Sequence, residues 1–163
     1  MASTPSGRRK SKQWPSIFPE GIPARPSIAV TRRMMLVGRR YRRMLDQALR
    51  EVGHSQVRWE VLHAVYIARG ESTLMEVAAR IGLEGPSIVG TMEKLETGGF
   101  IERRDNEADR RSKLIRLTNK GHEAIGAMTV IVDQQREKLL AGIDEKDVDA
   151  MLRVLTRMAD NLT

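Results

Sequence analysis

Past residue 27 the apolar positions fall into stripes at helical spacing. From about Ser27 to Val52, Met34, Val37, Tyr41, Leu45, Ala48 and Val52 recur at three- and four-residue steps, which predicts one long amphipathic helix. Its other side carries Arg32, Arg33, Arg39, Arg40, Arg42, Arg43 and Arg50, a solvated face or a source of contacts to anions and DNA. Gly53 interrupts the pattern. Ser55 is placed to cap a second helix to about Ala68, with Val57, Val61, Leu62 and Val65 inward and Gly70 as its breaker. Thr73 to Glu76 has the Thr-x-x-Glu pattern of a capping box, which ties off two helix-terminal N–H groups. It opens a short third helix whose inner side is Leu74, Val77, Ala78 and Ile81, and Gly82 makes the next turn.

The fourth helix begins near Gly85-Pro86-Ser87 and stops at Gly98-Gly99. A proline in the first turn gives up an N–H that has no partner there, and glycine suits the far end. Ile88, Met92 and Leu95 are its apolar face; Ser87, Gly90, Thr91 and Lys94 form a face that is neither bulky nor acidic. Such a face beside cationic flanks can enter a DNA major groove, which is about 12 Å wide. The period then changes. Phe100 to Arg104 and Lys113 to Thr118 are short alternating segments around the polar, turn-forming run Asp105 to Ser112, a hairpin pattern. Thr118 caps a helix of some five turns with Ile125, Met128, Val132, Gln135 and Leu139 in its stripe, and Gly142 ends it. Asp144 caps a last helix with Val148, Met151, Leu152, Leu155, Met158 and Leu162 on one side.

Composition narrows the class. A chain of 163 residues suits one domain, and aromatics at 4% leave the core to Leu, Ile, Val, Met and Ala. The formal charge of +7 favours a polyanionic partner. The absence of cysteine removes disulfides, thiolate metal sites and thiol sensing. Residues 1–27 hold five of the six prolines and the cluster Arg8, Arg9, Lys10 and Lys12, which reads as a flexible basic arm. Trp14, Ile17 and Phe18 within it are candidates for packing on a partner subunit. No stretch has the length of a signal peptide core or a membrane span, so the expected location is the cytoplasm. His54, His63 and His122 are scattered, no glycine-rich loop follows a strand, and no catalytic or metal constellation is present; the expectation is no enzyme and no cofactor.

A helix-turn-helix followed by a basic hairpin is the layout of a winged helix. The run Asp109-Arg110-Arg111, then Ile115, Leu117-Thr118 and Gly121, resembles the wing signature of the MarR family of transcriptional regulators. Gly82 to Ser87, Leu95-Glu96 and Gly99 to Ile101 are similar to the recognition helix of its SlyA-like branch. The resemblance covers roughly residues 28–162. It implies a mostly α fold with a small β-hairpin wing: residues 28–52 and 119–163 form dimerisation helices, and 53–118 the winged helix-turn-helix. It implies a homodimer on a pseudo-palindromic operator in double-stranded DNA. Ser87 and Thr91 would donate to base edges or phosphates, Pro86 would touch a thymine methyl, and Lys94 would meet a phosphate. Arg111 would enter the minor groove while Arg110 pairs with Asp109. Gly90 stands where SlyA-like relatives often carry an arginine, which removes a guanine reader and shifts specificity toward the wing and DNA shape.

The family also implies a small-molecule effector that changes the spacing of the two recognition helices. Tyr41, His54, Arg58, Trp59 and His63 are the candidates: Trp59 and His63 are four apart on one helix face, with Arg58 nearby, a combination for an aromatic carboxylate or an acyl-CoA phosphate. The expected function is therefore a repressor released by a small aromatic acid or its CoA thioester. The alternatives are an effector-independent antagonist of DNA silencing, and a dimeric ligand-binding or protein-interaction module that has lost specific DNA binding.

Overall fold

The structure, a computed structural model, describes residues 25–162. Arg8 to Lys12, Trp14, Ile17 and Phe18 of the expected arm lie outside the described residues. The elements run α1 (Pro26–Arg50), α2 (Gln56–Ile67), β1 (Ser72–Thr73), α3 (Leu74–Arg80), α4 (Gly85–Thr97), β2 (Ile101–Asp105), β3 (Lys113–Leu117), α5 (Asn119–Leu140) and α6 (Glu145–Asp160). The chain divides into two units between Arg40 and Tyr41.

In the first unit the described residues belong almost wholly to α1, and Met34 and Val37 of the expected stripe are exposed, as are Ile28, Val30 and Met35. In the second unit α1 turns Leu45 and Leu49 into the core, with Tyr41 packed against it. Leu49 takes the place expected for Val52, which is 50% exposed because the helix has already ended at Arg50. Gly53 at φ +77 closes that end: its N–H donates to the Arg50 carbonyl and His54 N–H to Leu49.

α2 is the central element and packs against α3, α4, α5 and β3. Val61, Leu62, Ala64 and Val65 are buried, whereas Val57, expected inward, is exposed in the first turn. The Ser55 cap forms, its hydroxyl accepting from Arg58 N–H at 3.3 Å. The Thr73 capping box forms in full: Thr73 Oγ1 accepts from Glu76 N–H, and the Glu76 carboxylate accepts from Thr73 N–H at 2.7 Å, which holds the Glu76 carboxyl below its ordinary range. At the far end of α2 the backbone reverses at Arg69, with φ +53, and Gly70 is not left-handed. Gly82 and Gly99 do take positive φ and end α3 and α4, with Leu83 N–H donating to Ala78 and Phe100 N–H to Leu95.

The sheet has one strand more than the hairpin pattern predicts. Ser72–Thr73 pairs antiparallel with β3, so the order is β1-β3-β2, with Ser72 opposite Ile115 and Arg103 opposite Ile115 on the other side. Ile101 and Ile115 face the core with Ile88, Met92 and Leu95 of α4 and Ile125, Met128 and Val132 of α5. α5 is capped by Thr118, whose hydroxyl accepts from Gly121 N–H at 3.1 Å. Leu139, expected in its stripe, is exposed, and Asp144 precedes α6 without a side-chain capping bond. No residue of α6 is buried.

Candidate DNA interface

Three buried side chains, Ile88, Met92 and Leu95, together with Gly85 fix the rotation of α4. What they turn outward follows from the 100° step of the helix. Pro86, Ser87, Gly90 and Lys94 are exposed, as expected; Thr91 is half-buried and lies toward the edge of that face. Sequence reasoning passed over Glu93 and Val89, both exposed on the same side. Glu93 projects next to Gly90 and Lys94, an acid that repels phosphate and can accept from a cytosine amine. The helical wheel carried this signal, since Glu93 lies 100° or more from each core residue of α4. A Cβ built on Gly90 meets nothing within 4 Å, so packing does not require the glycine. Its bare surface lets another backbone approach closely.

The wing follows after three residues, Gly98, Gly99 and Phe100, beyond the end of α4. Two cations lie over the Phe100 ring, Arg58 at 5.2 Å and Lys120 at 4.6 Å from its centre, and the Lys120 amine also donates to the Gly98 carbonyl at 2.7 Å. Thr118 hydroxyl donates to the Gly99 carbonyl at 2.7 Å. Gly121 lets α5 start against this junction: a Cβ there would lie 2.1 Å from the Phe100 carbonyl oxygen. The Gly121 position of the wing signature thus has a steric cause. Arg103 of β2 lies with its Nε 3.1 Å from the Glu96 carboxylate of α4, an ion pair in which the N–H direction misses the oxygen. It joins the hairpin to the recognition helix.

Most wing cations are spent inside the protein. Arg104 pairs with Glu71, Lys113 with Asp105, and Arg116 with Glu102. The hydrogen bond from Lys113 holds the Asp105 carboxyl below its ordinary range. Arg110 and Arg111 are exposed at the tip, and among the described residues neither has an ion pair. The expected Arg110–Asp109 pair does not form. Asp109 instead accepts from the backbone N–H of Arg111 at 3.0 Å, a two-residue turn that aspartate closes readily, so its carboxylate shapes the loop and leaves both guanidiniums loose. Asn106 and Ser112 close the base of the loop at 2.9 Å.

The five effector candidates separate into smaller groups. Trp59 and His63 stack, ring centres 5.0 Å apart and planes at 24°, and the Trp59 indole N–H is buried without a partner. Burial pushes His63 down, and the nearby charge of Arg136 on α5 adds to it. Arg58 does not join them. Its guanidinium turns to His54, 3.3 Å away, and to Phe100, because consecutive helix residues point 100° apart. Burial and Arg58 push His54 down. Arg136 of α5, whose charge adds to the lowering of His63, is itself paired with Asp133. Tyr41 packs on the core. Among the described residues no group of three or more His, Asp or Glu is placed to hold a metal ion, and no helix is long and apolar enough to cross a membrane.

Residues 55–121, which span the sheet, α4 and the wing, match the winged helix DNA-binding domain family. The fold is similar to that of the transcriptional regulator PA3341, with 34% identity and a TM-score of 0.74 over 82% of this chain and 97% of that one. A MarR-family regulator from Rhodococcus sp. RHA1 matches at 26% identity and TM-score 0.74, over 83% and 95% of the two chains. BpsR of Bordetella bronchiseptica, whose DNA binding is regulated by 6-hydroxynicotinic acid, shares the fold at 20% identity and TM-score 0.73, over 80% and 98%. With a relative at this identity matched over almost its whole length, and with the wing and its two tip arginines in place, the chain belongs to the MarR family of winged-helix transcriptional regulators, which are not enzymes.

Proposed function

We propose that the protein is a cytoplasmic, homodimeric repressor of the SlyA-like branch that binds a pseudo-palindromic operator and is released by a small aromatic carboxylate or its CoA thioester. α4 enters the major groove with Pro86, Ser87, Gly90, Thr91 and Lys94 toward the DNA. Arg111, with Arg110 beside it, reaches the minor groove, where narrow A·T tracts concentrate negative potential. The observation that carries this reading is the division of labour among the wing cations. Arg104, Lys113 and Arg116 are neutralised by acids of the same unit, and only the tip arginines are left for an outside anion. The effector half of the reading draws support from the stacked Trp59–His63 pair with its unpartnered buried indole N–H, and from the aromatic acid that regulates BpsR.

The test is fluorescence anisotropy with DNA from upstream of the protein's own gene, scanned over salt. Arg111→Ala is expected to weaken operator binding by about 1–3 kcal/mol and to lower the salt slope by about one. Unchanged affinity would refute the wing assignment. A panel of phenolic acids and their CoA thioesters then tests release, and specific binding that no compound disturbs would favour the effector-independent antagonist.

A further inference from the structure

A cleft of about 770 Å³ opens at the C-terminal end of α2, bounded by the turn after it, the end of β3 and the start of α5. That lies within the range of small-molecule sites, about 300–1,000 Å³. None of the DNA or effector candidates lines it. Its lining includes buried Val65 and half-buried Leu117, and the rings of Tyr66 and His122 meet edge to face at 6.1 Å and 74°. Tyr66 is 51% exposed there, a large ring left half in water.

The charges around the cleft are unequal in their commitments. Glu71 is held by Arg104, and Arg116 by Glu102. Arg69 has no ion pair among the described residues. It also bears the left-handed turn itself, at φ +53, although Gly70 beside it could take that conformation without steric cost. The arrangement therefore offers an apolar floor, two rings for stacking and one uncommitted guanidinium.

We propose that this cleft binds a small planar aromatic carboxylate, with its ring against Tyr66 and His122 and its carboxylate on Arg69. The ligand class rests on the proposed function; the place is separate from Trp59 and His63. An occupant here touches β3, the middle strand of the sheet, and α5 together, and so acts on the root of the wing.

The experiment is a titration of the full chain with salicylate and with 6-hydroxynicotinate, followed by amide NMR and calorimetry. Arg69→Gly removes the charge and suits the left-handed backbone; Tyr66→Ala removes the ring; His63→Ala disables the other site. Saturable shifts at Gly70, Glu71, Leu117 and His122 are expected, weakened about tenfold or more by Arg69→Gly and unaffected by His63→Ala. Shifts confined to the surroundings of Trp59 and His63, lost in His63→Ala and kept in Arg69→Gly, would overturn the cleft while upholding the proposed effector site. Shifts at the cleft alone would uphold it and remove that other site. No shift at either place with both acids at millimolar concentration would overturn it, with the DNA-binding reading still judged by the Arg111→Ala result.

Discussion

Two glycines set the limits of what single residues do in this protein. Gly90 lies in the middle of α4 with open space where a Cβ would go, so its cost to the helix is not offset by packing. Gly90→Ala is expected to raise stability by about 1 kcal/mol, read by urea denaturation. If operator affinity falls although stability rises, the bare surface is where DNA comes close; if affinity is unchanged, that surface stands clear of the groove. Gly121 is the opposite case. Its missing Cβ is what allows α5 to begin against the Phe100 carbonyl, a rigid backbone group that cannot swing away. Gly121→Ala is expected to cost about 3 kcal/mol, toward the upper end of ordinary overpacking, and to disturb the wing root. A thermal midpoint equal to that of the unmodified protein would show that the junction can yield. The glycine of the wing signature is thus explained by a contact across 20 residues, which no local pattern displays.

At the scale of elements, the two depressed histidines lie just before α2, at His54, and within it, at His63. Burial lowers His54 and His63 from 6.5 in the folded chain, with Arg58 and Arg136 respectively adding to it. The unfolded chain then binds more protons in the window below pH 6.5, so stability rises with pH across that window. The contribution is present above the unfolded value and is lost as pH falls through the lowered folded values. Urea midpoints measured from pH 7.5 downward should fall, and His63→Gln should flatten part of that fall; a flat profile in the unmodified protein would contradict the burial of both rings. The elements themselves were legible where one residue face decides the matter: the Thr73 capping box, the α4 stripe and the hairpin all stand where the pattern placed them. β1 was not, because two residues cannot display a period and Ser72–Thr73 is a strand only through its pairing with β3. The effector candidates were grouped by closeness in sequence, and the structure divides them by direction, Arg58 toward Phe100 and Trp59 toward His63.

At the scale of the molecule, the decisive feature is α6, an amphipathic helix of which no residue is buried among the described residues. Met151 is 46%, Leu152 62%, Leu155 40% and Leu162 88% exposed, all on the apolar stripe of the last helical segment, which the family resemblance places among the dimerisation helices. Apolar side chains in such a row on a single chain mark an interface. A second copy is the occupant that the proposed function requires, because two recognition helices must address half-sites about one turn of DNA apart, roughly 34 Å. Leu152→Asp combined with Leu155→Asp leaves the core of the winged helix untouched, since neither residue is buried. Each buried carboxylate in a dimer seam would face several kcal/mol of desolvation, about enough to dissociate a pair at micromolar concentration. Sedimentation should therefore give half the mass of the unmodified protein, with the helical circular dichroism retained. Operator affinity should fall together with the mass, because one wing and one helix hold only one half-site. If the mass is halved while operator affinity is kept, each subunit reads DNA independently and an effector has no helix spacing to alter. If the mass does not change, α6 is not the seam.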